Sequence, residues 1–159
     1  MVANDNAAVL YALLQACGVD YDLEDFGSRL RVQKVVYLMK ATGSGLPYDF
    51  NWYLRGPYSP DLARDLFAGA ADMASTRQMG EHLVLGAKAA EQTTLIRNEL
   101  EKMPRGISRT HWFEALASAA FLRKRGKTPE QIRVQLEQEK GFGPVLVNTA
   151  LASVARLGI

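Results

Sequence analysis

The stretch from Ser108 to Arg125 is apolar around nearly its whole circumference, and no other feature of the sequence constrains the fold so tightly. Trp112, Ala115, Leu116, Ala119 and Leu122 form one helical stripe, which Phe113, Ala117, Ala120 and Phe121 widen. A helix apolar on several sides must be covered on several sides, so this one is predicted to stand at the centre of the molecule. Glu114 and Ser118, one turn apart, are its polar exceptions, and a carboxylate among such neighbours needs a partner or a wet edge. The chain can supply the cover. Its 159 residues are 48% apolar and 23% charged, the balance of an ordinary globular domain rather than a disordered one. One domain over residues 1–159 is the economical expectation.

Six further helices are predicted around it. The first starts at Asn4 or Asp5, carries Val9, Leu10, Leu13, Leu14 and Cys17 on one side, and stops at Gly18. The second begins at Gly27 or Ser28 and runs to Thr42, with Val32, Val35, Val36 and Met39 on one face. Ser59-Pro60-Asp61 opens a third: a hydroxyl cap, a proline whose missing N–H costs nothing, and an acid at the positive end of the helix dipole. The segment from Lys88 to Met103 is another, closed by Pro104 and Gly106. Thr128-Pro129-Glu130 repeats the capping signature for a helix to Lys140, and a last helix spans Pro144 to Leu157.

Between the second and third helices the period changes to two. Phe50, Trp52 and Leu54 alternate with Asn51, Tyr53 and Arg55, which predicts a strand over Tyr48–Arg55 ended by a turn at Gly56-Pro57. His82 to Leu85 is the expected second strand, pairing near Phe50. The expected class is therefore mainly α: about seven helices with a small two-stranded β element, loosely like a winged helix.

Composition and motifs exclude more than they assign. Nineteen Lys and Arg against seventeen Asp and Glu give no global pull toward nucleic acid. Charge is uneven, with five acids and no base up to Ser28 and the cluster Arg123-Lys124-Arg125-Gly126-Lys127, which reads as a solvated helix end. Arg29, Arg31 and Lys34 are positioned to touch phosphates, but a near-neutral chain predicts weak nucleic-acid binding or none. A lone Cys17, no secretory leader and no span of about twenty apolar residues predict a cytoplasmic protein without a membrane anchor. No metal-ligand spacing, nucleophile elbow, phosphate loop or dinucleotide fingerprint occurs. No enzyme, metal or cofactor is expected; His111 and Glu114, one turn apart, read as a capping or surface contact.

Tyr53-Leu-Arg-Gly-Pro-Tyr-Ser59 is the functional candidate, because it gathers tyrosine and arginine on a rigid turn beside a helix N-terminus. Arg55, Tyr58, Ser59, Asp61 and Arg64 are the predicted partner-binding residues; the bland alternative is a turn, a cap and packing. Three segments, Arg31-Val-Gln-Lys-Val-Val-Tyr-Leu-Met39, Tyr48-Asp-Phe-Asn-Trp-Tyr-Leu-Arg-Gly-Pro-Tyr-Ser-Pro-Asp-Leu62 and His111-Trp-Phe-Glu-Ala-Leu-Ala-Ser118, resemble the landmarks of the Panacea domain. This is the SocA-like antitoxin domain, and the chain looks nearest to its YwgA-like relatives. The resemblance implies a mainly helical domain that neutralises a toxin by contact or presents a client to a protease, often encoded beside toxins or in mobile elements. It implies no catalytic residue. The expected function is a regulatory module that binds a protein partner. A winged-helix-like DNA-binding regulator is the alternative, and an enzyme with an unrecognised site the second.

Overall fold

The computed structural model describes residues 5–159 and contains eight helices and one hairpin. In chain order these are α1 (Asp5–Ala16), α2 (Phe26–Ala41), β1 (Asn51–Tyr53), β2 (Gly56–Tyr58), α3 (Pro60–Ala71), α4 (Met73–His82), α5 (Ala87–Leu100), α6 (Arg109–Lys124), α7 (Pro129–Lys140) and α8 (Pro144–Arg156). The mainly helical class with a small two-stranded sheet is the one expected, with one helix more than the seven read from the sequence.

The capping signatures act as predicted. Ser59 accepts from the Leu62 amide, and Thr128 forms a reciprocal capping box with Gln131. Asp25 caps α2, accepting from Ser28 N at 2.7 Å, so that helix starts slightly earlier than expected. Asn4 lies outside the described residues. Gly18, at φ +73°, supplies the left-handed stop after α1.

The helix α6 is the centre. It packs on α2, α7, α8 and the hairpin, while α1 gathers α3, α4 and α5, and α2 touches both groups. Trp112, Phe113, Leu116 and Ala119 have no exposed surface, and the Trp112 indole donates to Leu100 O at 3.0 Å. Such burial of an aromatic or branched side chain is worth about 1.5–3 kcal/mol each. Cys17 is a buried free thiol, which burial pushes up to about 12, away from any reactive thiolate.

Three local expectations are corrected. The strand predicted over Tyr48–Arg55 is only Asn51–Tyr53, Gly56-Pro57 is not the turn but the start of the return strand, and His82–Leu85 is not a strand. Pairing is Asn51 with Tyr58, Trp52 with Pro57 and Tyr53 with Gly56, antiparallel, with Leu54-Arg55 between them. No described non-glycine residue has a positive φ, so Leu54 and Arg55 cannot make the mirror-image turn of the tightest hairpins; Gly56, at φ +88°, takes the left-handed position instead. Closing a strand on its immediate neighbour costs less loop entropy than pairing it with residues some thirty positions away. The distant candidate is used otherwise: His82 ends α4, its Nδ1 at 2.6 Å from Gln78 O, and Leu83 and Val84 are exposed. The order is thus helix, helix, hairpin, helix rather than strands on either side of the third helix.

Candidate functional site

Two faces of α2 have different destinations. Val32, Val35, Val36 and Met39 enter the core as predicted. Phe26, Arg29, Leu30, Gln33 and Lys34, spaced i, i+3, i+4, i+7, i+8, form a second stripe that lines a cleft. The opposite wall is Ala63, Leu66 and Phe67 of α3, and the hairpin closes it with Tyr53, Leu54, Arg55, Gly56 and Tyr58. The cavity measures about 420 Å³.

Side chains of α2 hold the hairpin's return strand in place. Gln33 Nε2 donates to Ser59 O at 2.8 Å, and Ser59 N donates back to Gln33 Oε1 at 3.0 Å. The next residue, Lys34, donates its ammonium to Pro57 O at 2.6 Å. Gln33 and Lys34 of α2 and the Gly56-Pro57-Tyr58-Ser59 stretch are therefore bound directly to each other.

A buried ionic cluster lies behind the hairpin. Glu114 of α6, 2% exposed, accepts from Arg55 Nε at 2.8 Å and from Lys140 Nζ at 3.3 Å. These are the partners its apolar surroundings demanded. Lys140 also donates to Leu54 O at 2.8 Å and sits 4.9 Å from the Trp52 ring centroid, tying the end of α7 to the hairpin loop. Lys34 is 1% exposed, and among the described residues no carboxylate lies within ion-pair distance of it. Burial, its main perturbation, pushes the ammonium pKa down to about 7; Glu114 raises it while Lys140 and Arg55 lower it further.

The five predicted partner-binding residues separate. Arg55 and Tyr58 line the cleft. Ser59 has no exposed surface and works as cap and as Gln33's partner. Asp61 and Arg64 are exposed, pair with each other at 3.1 Å and lie outside the lining. Of the cations placed near phosphates, Arg29 donates to the carbonyls of Leu23 and Glu24, Arg31 donates to Thr110 Oγ1 at 2.7 Å, and Lys34 is buried. His111 meets Phe142 edge-on, and Glu114 is engaged elsewhere. At the end of α6, Arg125 covers the Phe121 ring at 4.7 Å and Arg123 donates to Lys127 O.

Sequence reasoning missed Phe26, Lys34, Phe67 and Lys140 as members of the site. The signal for Phe26 to Lys34 was present, as a second i, i+3, i+4 series beside the stronger core stripe. Nothing in the sequence could pair Lys140 with residues 26 and 86 positions earlier.

Fold and site together define a helical domain with an apolar, cation-lined cleft beside a hairpin. Compared with protein-family models, curated proteins and solved structures, the chain matches none. No described helix is long and apolar enough to cross a membrane.

Proposed function

We propose that this chain is a regulatory protein-interaction module of the kind the SocA-like antitoxin resemblance implies, working in the cytoplasm on a toxin or a protease client. One observation carries the reading: Phe26, Tyr53, Leu54 and Phe67, all large, apolar and 45–90% exposed, converge on a single cleft. Scattered exposed apolar residues need no explanation, but a contiguous set around a concavity is the usual mark of a contact surface. Arg55 and Tyr58 add the residue types most enriched at binding hot spots. Among the described residues the cleft bears cations and no carboxylate, so the matching partner segment is apolar and acidic. The single buried Cys17 supports a reducing compartment. A near-neutral chain whose Arg29 and Arg31 bind its own carbonyls and hydroxyls favours a protein over nucleic acid as partner.

Affinity capture of the host partner with the wild-type chain, followed by its reconstitution from purified components, tests this. Leu54→Ser with Phe67→Ser should weaken the reconstituted complex by about thirtyfold, two hot-spot kcal/mol. Val145→Ser, at an exposed apolar position outside the cleft lining, is the control and should leave it unchanged. Equal binding by all three proteins would move the partner surface away from the cleft.

A further inference from the structure

The charged groups that line the cleft among the described residues are all cationic donors. Arg29, Lys34 and Arg55 line it, and among the described residues no aspartate or glutamate does. Gln33 exchanges two bonds with Ser59, and Arg29 gives its Nη1 to two carbonyls. Lys34 has one acceptor, Pro57 O, for three N–H bonds. Arg55 uses only Nε on Glu114, and among the described residues its two terminal nitrogens make no hydrogen bond. Its guanidinium carbon lies 5.7 Å from the ring centroid of Phe26, another lining residue, which places unused donors at the cleft. In the cluster behind, Arg55 and Lys140 share the carboxylate of Glu114, which reaches Lys34 only from beyond ion-pair distance. A buried cation without a counter-ion is costly, and an anion entering from the cleft would relieve it.

We propose that this cleft binds a small organic acid, one carboxylate on an apolar aromatic or branched body. The carboxylate meets Lys34 and the free edge of Arg55, and the body lies against Leu30 and Leu66 of the floor. A carboxylate suits the site better than a phosphate. Two cationic donors match two oxygens, whereas a phosphate brings a third strong acceptor and about twice the charge, next to Glu114. The volume is that of a small-molecule cleft, and its lysine lies 1% exposed beneath a rim of half-exposed side chains, where a free acid can reach end-on. The inference goes beyond the protein-interaction reading and does not depend on it: it concerns the donors of the floor, not the apolar rim.

Calorimetric titration of the full chain with 4-phenylbutanoate and with the neutral 4-phenylbutanamide decides it. The acid should bind at least about tenfold more tightly than the amide, the difference one charge-assisted hydrogen bond makes. Lys34→Met should abolish that preference and Arg55→Gln should reduce it. In the wild type, where Glu114, Lys140 and Arg55 act on the lysine and Arg29 lines the same cleft, acid affinity should fall between about pH 6 and about pH 9 as Lys34 loses its proton, and amide affinity should stay flat. This readout needs no variant to fold. Equal affinity for acid and amide, no binding at about millimolar concentration, or a preference that survives the double variant Lys34→Met with Arg55→Gln would overturn the proposal. So would an N-acetylated tripeptide ending in a free phenylalanine carboxylate that binds where the small acid does not, since it would assign the donors to a chain terminus. Loss of partner capture in the Leu54→Ser, Phe67→Ser protein with acid binding intact would separate the two readings.

Discussion

Arg55 and Glu114, 59 positions apart, meet at 2.8 Å, with Arg55 Nε donating to a carboxylate oxygen that is all but sealed in the core. The arginine expected to project from a turn toward a partner thus also secures that turn to the central helix. Substituting it therefore cannot leave stability untouched.

Removing the carboxylate should cost more than removing the arginine. Glu114→Ala leaves Lys140, its side chain 6% exposed, as an unpaired buried cation and should lower stability by about 3–5 kcal/mol. Arg55→Ala leaves Glu114 its second partner, and the arginine is 38% exposed, so about 1 kcal/mol is expected. Urea denaturation of both variants ranks them; the reverse order would show that Lys140 and Glu114 do not hold each other.

Lys34 should give the protein a stability that rises with alkali. Its folded pKa of about 7 lies below its ordinary 10.5, so between those values the unfolded chain binds more protons and folding gains with pH. Below about pH 7 both states are protonated, and the folded state carries the whole desolvation cost. Lys34→Met should be more stable than the wild type at about pH 6 by a few kcal/mol, less the roughly 1 kcal/mol of its bond to Pro57 O. Denaturation midpoints measured from pH 6 to 10 should converge at the alkaline end. Parallel curves would mean that Lys34 titrates alike in both states.

Gly56 faces α6 with no room for a side chain. A Cβ there would lie 2.4 Å from Ser118 Oγ, and the backbone is already at φ +88°. Gly56→Ala should cost about 2 kcal/mol or more from strain and overlap together. Thermal denaturation reads the cost, and the smaller loss in Gly56→Ala with Ser118→Ala would isolate the overlap.

Leu116, fully buried on α6, should respond as a core residue. Leu116→Ala is expected to lose about 2–5 kcal/mol and at least about 5 °C in Tm. A melting temperature equal to the wild type would place α6 at the surface.

Much of this molecule is written locally. The stripe from Trp112 to Leu122 determined a central helix, because a helix apolar on all sides has only one place to go. Ser59-Pro60 and Thr128-Pro129 determined helix starts, because a cap and a fixed φ act within one turn. Glu114's need of a partner could also be read, since a carboxylate among alanines and phenylalanines is costly wherever the chain goes. The sequence did not determine who would answer that need. Arg55 and Lys140 come from opposite sides of α6 in the chain, and distant pairing carries no short-range pattern. Gly56-Pro57 resembled a turn for the same reason that it serves as a return strand: a left-handed glycine closes either. Whether it turned or returned depended on Gln33, Lys34 and Ser118 waiting behind it. The cleft, too, was decided only in three dimensions. Its walls are the secondary stripe of α2, one side of α3 and a hairpin tip, and each alone reads as ordinary surface until α2 and the hairpin pack on α6 and α3 packs on α1.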